Sequence, residues 1–264
     1  MKKLQSLFIG IIAIIVILFF GVRQLEKASG MAGADTLTIY NWGDYIDPAL
    51  IKKFEKETGY KVNYETFDSN EAMYTKIQQG GTAYDIAIPS EYMIQKMMKA
   101  KMLLPLDHSK LKGLENIDAR FLDQSFDPKN KFSVPYFWGT LGIIYNDKFI
   151  DGRQIQHWDD LWRPELKNNV MLIDGAREVL GLSLNSLGYS LNSKNDQQLR
   201  QATDKLNRLT NNVKAIVADE IKMYMANEES AVAVTFSGEA AEMLENNEHL
   251  HYVIPSEGSN LWFD

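Results

Sequence analysis

Four aromatic residues, Trp42, Tyr45, Tyr92 and Phe236, fall just after short β-rich runs, in the turns Y-N-W-G-D-Y (40–45), I-P-S-E-Y (88–92) and T-F-S-G-E (235–239). The turn D-G-A-R-E (174–178) follows such a run too and supplies Asp174 and Glu178; Glu239 lies in the third turn, and Trp262 and Asp264 form a fifth pair. Arg177 is the one base in the set. Rings and carboxylates in company offer a definite chemistry. An ammonium over a Trp or Tyr face gains roughly 0.5–2 kcal/mol, and a carboxylate adds a charge-assisted hydrogen bond to the same nitrogen. A flexible diamine or triamine suits that combination, with rings along its methylenes and acids at its nitrogens. Sugars also use aromatic platforms with acids, so the residue types leave both open.

Taken singly, each of these residues has an ordinary structural reading. Tyr40, on the strand side of the first turn, reads as core, Asp47 before Pro48 as a helix N-cap, and Ser90 as a cap whose hydroxyl can also face a ligand. Their common place makes them a candidate site, because in open α/β sheets ligands collect at the carboxyl ends of strands. Other chemistries lack their motifs. There is no G-x-S-x-G elbow, P-loop or G-x-G-x-x-G. His249 and His251 share one face of a strand, but the sequence offers them no third metal ligand. We therefore expect no catalytic residue, metal or cofactor.

The elements that must position these residues follow from local signals. T-L-T-I-Y (36–40) reads as a strand, and Asp47-Pro48 opens a helix that Gly59 closes. K-V-N-Y-E-T-F (61–67) is a second strand; Asp68 with Glu71 reads as a capping box for a helix over 69–79. Y-D-I-A-I-P (84–89) is a third strand and 91–100 a third helix. This alternation predicts a largely parallel sheet. After a loop-rich stretch (105–131), residues 132–146 form a long extended segment with internal glycines, able to carry the chain from one domain to the next. The alternation then restarts, with strands at 170–173, 213–217, 231–236 and 250–254 and helices at 176–187, 196–209, 219–227 and 238–246. The fold class is α/β, in two domains.

The chain has 264 residues, 45% of them hydrophobic and 24% charged, enough for a sizeable core. Its net charge is −7, and residues 1–34, with four basic residues and one acidic, leave −10 for the rest. An acidic body disfavours nucleic acid, which needs clustered Lys and Arg; it suits a cationic ligand. Lys2 and Lys3 precede an apolar run of 16 residues, Leu7–Val22, ended by Arg23. Residues 1–34 thus read as a signal peptide or an N-terminal membrane anchor with a transmembrane helix, Ala32-Gly33-Ala34 having the form of a cleavage site. Either reading puts the body outside the cytoplasm. With no cysteine in the chain, stability comes from packing without disulfides.

From about Thr36 onward the sequence resembles the extracytoplasmic spermidine/putrescine-binding proteins of bacterial ABC-type polyamine uptake systems. The blocks that carry the resemblance are Y-N-W-G-D-Y-I-D-P, E-T-G-Y-K-V, F-D-S-N-E-A-M-Y-T-K, Y-D-I-A-I-P-S-E-Y, F-D-P-K-N-K-F-S-V-P-Y-F-W-G-T, D-G-A-R-E-V and N-L-W-F-D. The resemblance implies a two-lobed, periplasmic-binding-protein-like fold of type II. Its lobes span 35–138 and 139–263, its cleft closes over one polyamine, and a monomer delivers the ligand to membrane permease subunits. It further implies a return to the first lobe beginning about residue 264, so that the final C-terminal part is missing, and with it a Tyr and a Gln of the site. Carried over by position, the ligand-binding residues are Trp42, Tyr45, Ser90, Tyr92, Glu178, Phe236, Trp262 and Asp264. Gly43 stands where the family has a hydroxyl residue, and Phe236 where it has a Trp. Gly175 stands where the family has an acid, so that role is either missing or taken by neighbouring Asp174. The alternatives are a binding protein for another solute, a sugar or a cationic amino acid, or an exported carbohydrate-active enzyme.

Overall fold

The computed structural model describes residues 35–151 and 155–264. The expected signal or anchor over 1–34 lies outside the described residues, among which no helix is long and apolar enough to cross a membrane. The chain divides into two compact units at Leu104/Pro105. Residues 105–138, given to the first lobe by the sequence reading, group with the second unit.

The first unit is a three-stranded parallel sheet with helices between its strands. Strands β1 (Thr36–Trp42), β2 (Lys61–Phe67) and β3 (Ile86–Ala87) lie in the order β2-β1-β3. Helix α1 (Pro48–Thr58) starts as its sequence dictates: the Asp47 carboxylate accepts from the Ala49 N–H at 2.8 Å, Pro48 opens the first turn, and Gly59 ends the helix at φ 79°. Helix α2 (Asn70–Gln79) departs from expectation by one residue. Its cap is Ser69, whose hydroxyl accepts from the Ala72 N–H at 3.2 Å. Glu71 is therefore in the second helical position, out of register for a capping box with Asp68. The third strand is shorter than expected, pairing at Ile86 and Ala87 alone. Asp85 puts its side chain into the ladder, accepting from the Thr38 N–H at 2.8 Å, and Pro89 has no N–H to give. Helix α3 (Glu91–Lys99) follows. Tyr40, Phe67, Met73, Met93 and Met97 form the core of this unit, which confirms Tyr40 as a core residue.

The second unit holds a mixed sheet in the order β6-β5-β7-β4-β8, with β9 paired to the start of β4. Its strands are β4 (Trp138–Asn146), β5 (Val170–Ile173), β6 (Val213–Val217), β7 (Val232–Phe236), β8 (Leu250–Val253) and β9 (Leu261–Phe263). β5 is parallel to β6 and β7, whereas β4 runs antiparallel to β7, β8 and β9. Helices α4 (Ala176–Ser186), α5 (Asp196–Leu209), α6 (Ile221–Ala226) and α7 (Ser237–Asn246) connect them. All of Val170–Ile173 and Val232–Thr235 are buried, the continuous apolar run of strands covered on both faces. Trp158 and Leu161, in a 3-10 turn, complete the core with Leu182, Leu209 and Met225.

Candidate functional site

Except for Trp262 and Asp264, which belong to the antiparallel β9 edge, the candidates gather at the carboxyl ends of parallel strands in both units. In the first, β1 ends at Trp42, whose register partner is Phe67 at the end of β2, and the two rings pack at 4.5 Å. The turn after Trp42 passes through Asp44 at φ 51° and returns Tyr45 to 6.3 Å from the indole. Both rings stay half-buried, Trp42 and Tyr92 resting on the methionine-rich core beneath.

Ser90 occupies the N-cap position of α3, but its side chain makes no capping bond, correcting the expectation of a cap hydroxyl. Instead the buried Asn70, at the start of α2, donates to Ser90 Oγ at 3.0 Å and accepts from the Ser90 N–H at 3.1 Å. Glu71 turns its carboxylate to the Tyr92 hydroxyl, which donates to it at 3.0 Å. Asn70 and Glu71 thus orient Ser90 and Tyr92, and nothing local in the sequence marks them for it.

In the second unit, parallel neighbours β5 and β7 end in the two turns that carry Asp174 with Glu178 and Phe236 with Glu239. Asp174 is exposed; Glu178 is half-buried in the first turn of α4, and its carboxylate folds over Gly175 into the space a side chain at 175 would fill. Glycine at 175 therefore leaves that space to Glu178. Phe236 meets Trp262 edge-on, with centroids 5.6 Å apart and planes at 76°, a geometry worth about 0.5–1.5 kcal/mol beyond area burial. The β4–β9 ladder continues past Phe263: the Tyr136 N–H donates to the Asp264 carbonyl at 2.8 Å and the Asp264 N–H to the Phe137 carbonyl at 2.9 Å. Residues two apart on a strand share a face, so Trp262 and the buried Asp264 project together.

What holds β9 in place was not read from the sequence. The Trp158 indole and the Asn185 amide both donate to the Gly258 carbonyl, at 2.9 and 2.7 Å, and the Ser259 hydroxyl donates to the Leu141 carbonyl. The loop before β9 is pinned to the core at those points. The indole N–H groups of Trp42 and Trp262 are both buried with no acceptor among the described residues. Glu239, on the first turn of α7, accepts from the Thr235 hydroxyl, and burial raises its carboxyl pKa. Nearby, burial pushes the Tyr252 phenol up to about 12.

His249 and His251 are explained by Asp147 at the end of β4. Its two oxygens lie 2.9 Å from His249 Nδ1 and 2.7 Å from His251 Nε2. Hydrogen bonds from His251 and His249 hold the Asp147 carboxyl below its ordinary range. Among the described residues no group of three His, Asp or Glu side chains is placed to hold a metal ion.

Two α/β units with rings and acids at their strand ends have the general form of a solute-binding protein. Sequence comparison makes this specific: residues 49–264 match the family described as bacterial extracellular solute-binding protein. The chain belongs to that family. It is 41% identical over 244 residues to the spermidine/putrescine-binding periplasmic protein of Salmonella typhimurium, an alignment covering 90% of this chain and 70% of the relative. To the putrescine-binding periplasmic protein PotF of Escherichia coli it is 37% identical, covering 87% and 67%. Among solved structures, a putative spermidine/putrescine ABC transporter from Listeria monocytogenes superposes with a TM-score of 0.85 at 65% identity, covering 88% of this chain and 71% of that one. The α/β, periplasmic-binding-protein-like fold expected from the sequence is therefore the fold of this chain.

Proposed function

We propose that this protein is an extracytoplasmic carrier that captures a polyamine, spermidine or putrescine, and delivers it as a monomer to the permease of an ABC transporter, without catalysing a reaction on it. The observation that carries this reading is the common face of Trp262 and Asp264, an indole braced by Phe236 beside a buried carboxylate. That is an apolar wall with one anionic anchor, which fits an alkyl ammonium. The relatives named for spermidine and putrescine support it. Trp42, Tyr45, Ser90 and Tyr92 supply the ligand contacts of the first lobe, and Asp174, Glu178, Phe236, Trp262 and Asp264 those of the second.

Selectivity for charge number follows from desolvation. A buried carboxylate facing an ammonium is favourable when both are matched, and breaking such a pair costs about 3–5 kcal/mol. Calorimetric titration of the native chain and of Asp264→Asn with spermidine and putrescine tests this. Asp264→Asn is expected to bind at least about a hundredfold more weakly. Unchanged affinity would contradict the role given to Asp264.

A further inference from the structure

Strand β4 contains two glycines, Gly139 and Gly142, in W-G-T-L-G. Neither has a positive φ, so backbone conformation demands glycine at neither place. Both instead receive a ring from an adjoining strand. Tyr252 of β8 lies across Gly142, packed against the core of the second unit. Opposite Gly139 in the β4–β9 ladder stands Trp262. A methyl group on Gly139 would lie 2.6 Å from Cζ2 and 3.0 Å from Cε2 of that indole, and 2.7 Å from Ser237 Oγ. The Cζ2–Cε2 edge of the indole therefore sits against bare backbone.

Neighbouring groups limit where this half-buried ring can yield. Phe236 stands edge-on against it. The Ser237 hydroxyl is held from behind by the Thr140 N–H at 3.2 Å, and β9 is tied to the core through Gly258 and Ser259. Any side chain at 139 must displace the indole from its place against β4.

We propose that Gly139 is a positioning residue for binding: by having no side chain it sets the depth at which Trp262 walls the ligand. The proposal rests on the polyamine reading for the identity of the ligand, but not for the contact itself. Its test uses Gly139→Ala, Trp262→Phe and the double variant in the full chain. Two signals are read: the indole N–H resonances of nitrogen-15-labelled protein, and spermidine affinity by calorimetry. The Trp262 resonance is assigned by its loss in Trp262→Phe.

Gly139→Ala is expected to shift the Trp262 resonance while those of Trp158 and Trp162 stay in place, and to weaken spermidine binding about tenfold or more. The double variant is expected to bind no worse than Trp262→Phe alone, because the smaller ring leaves room for the methyl group. A glycine needed only for stability would lower the melting temperature, leave the affinity of the folded protein unchanged, and give no such rescue. An unmoved Trp262 resonance, or additive losses in the double variant, would overturn the proposal. Should Gly139→Ala fail to fold, folding restored by Trp262→Phe supports the contact and continued failure refutes it. If the native chain binds no polyamine, the functional reading falls, and the resonance still decides whether Gly139 positions Trp262.

Discussion

Burial raises the pKa of Glu239, so the fold favours the protonated carboxyl over the carboxylate. The charges nearest to it are Asp219, which raises the pKa further, and Lys222, which lowers it; the Thr235 hydroxyl also favours the charged form. An acid whose pKa is raised on folding stabilises most at pH below its ordinary value, and the contribution is lost as pH climbs through the raised one. Glu239→Gln keeps an acceptor for Thr235 and removes the charge. Its melting temperature is expected to exceed that of the native chain near about pH 7 and to converge with it near about pH 4. A native chain that stays the more stable of the two at neutral pH would show that Lys222 outweighs burial. Asp147 has the opposite sign. Its lowered pKa makes the clasp on His249 and His251 stabilising above the ordinary carboxylate range, and this is lost as pH falls through the lowered value. Asp147→Asn should therefore flatten the acid limb of the stability profile, and an unchanged acid limb would remove the clasp from the account.

Helix caps show how far local sequence carries at the scale of elements. Asp47-Pro48 and Gly59 bound α1 as read, and β5, β6 and α5 have the expected limits, because a cap or an apolar run acts over a few neighbouring residues. At α2 two side chains competed, and Ser69 rather than Asp68 caps the helix. Ser69→Ala is expected to cost about 1 kcal/mol in denaturant unfolding, and Asp68→Ala only a few tenths; the reverse order would contradict the cap assignment. Other features depend on partners distant in sequence. The length of β3 is set by Asp85 against Thr38, the hydroxyls of Ser90 and Tyr92 are held by Asn70 and Glu71, and β9 is held by Trp158 and Asn185. Most of the candidate rings and acids were legible because they fall at strand ends or in the turns and helix starts that follow them, whereas Trp262 lies within β9. Their supports were not, since Asn70, Glu71, Trp158 and Gly139 look like ordinary helix, core or strand residues until the chain is folded. The glycines of β4 read as markers of a crossover between domains, whereas in the structure they make room for Trp262 and Tyr252.

Over the whole molecule the proposed ligand contacts divide between two compact units, each with its own core. Trp42→Ala in the first unit and Asp264→Asn in the second should each weaken polyamine binding, with one polyamine bound per chain. Loss in one variant only would confine the site to one unit. The net charge of −7 adds a long-range attraction for cations, and the association rate for spermidine should fall as salt rises from about 0.01 to 0.15 M. The most direct test of the central claim is a thermal melt of the chain alone and with spermidine, putrescine or maltose. A ligand of the native state at about 100 times its dissociation constant adds about 2.7 kcal/mol to stability. The account predicts a higher melting temperature with the two polyamines and none with maltose. A cooperative melt raised by maltose instead, or by none of the three, would contradict polyamine binding by this chain.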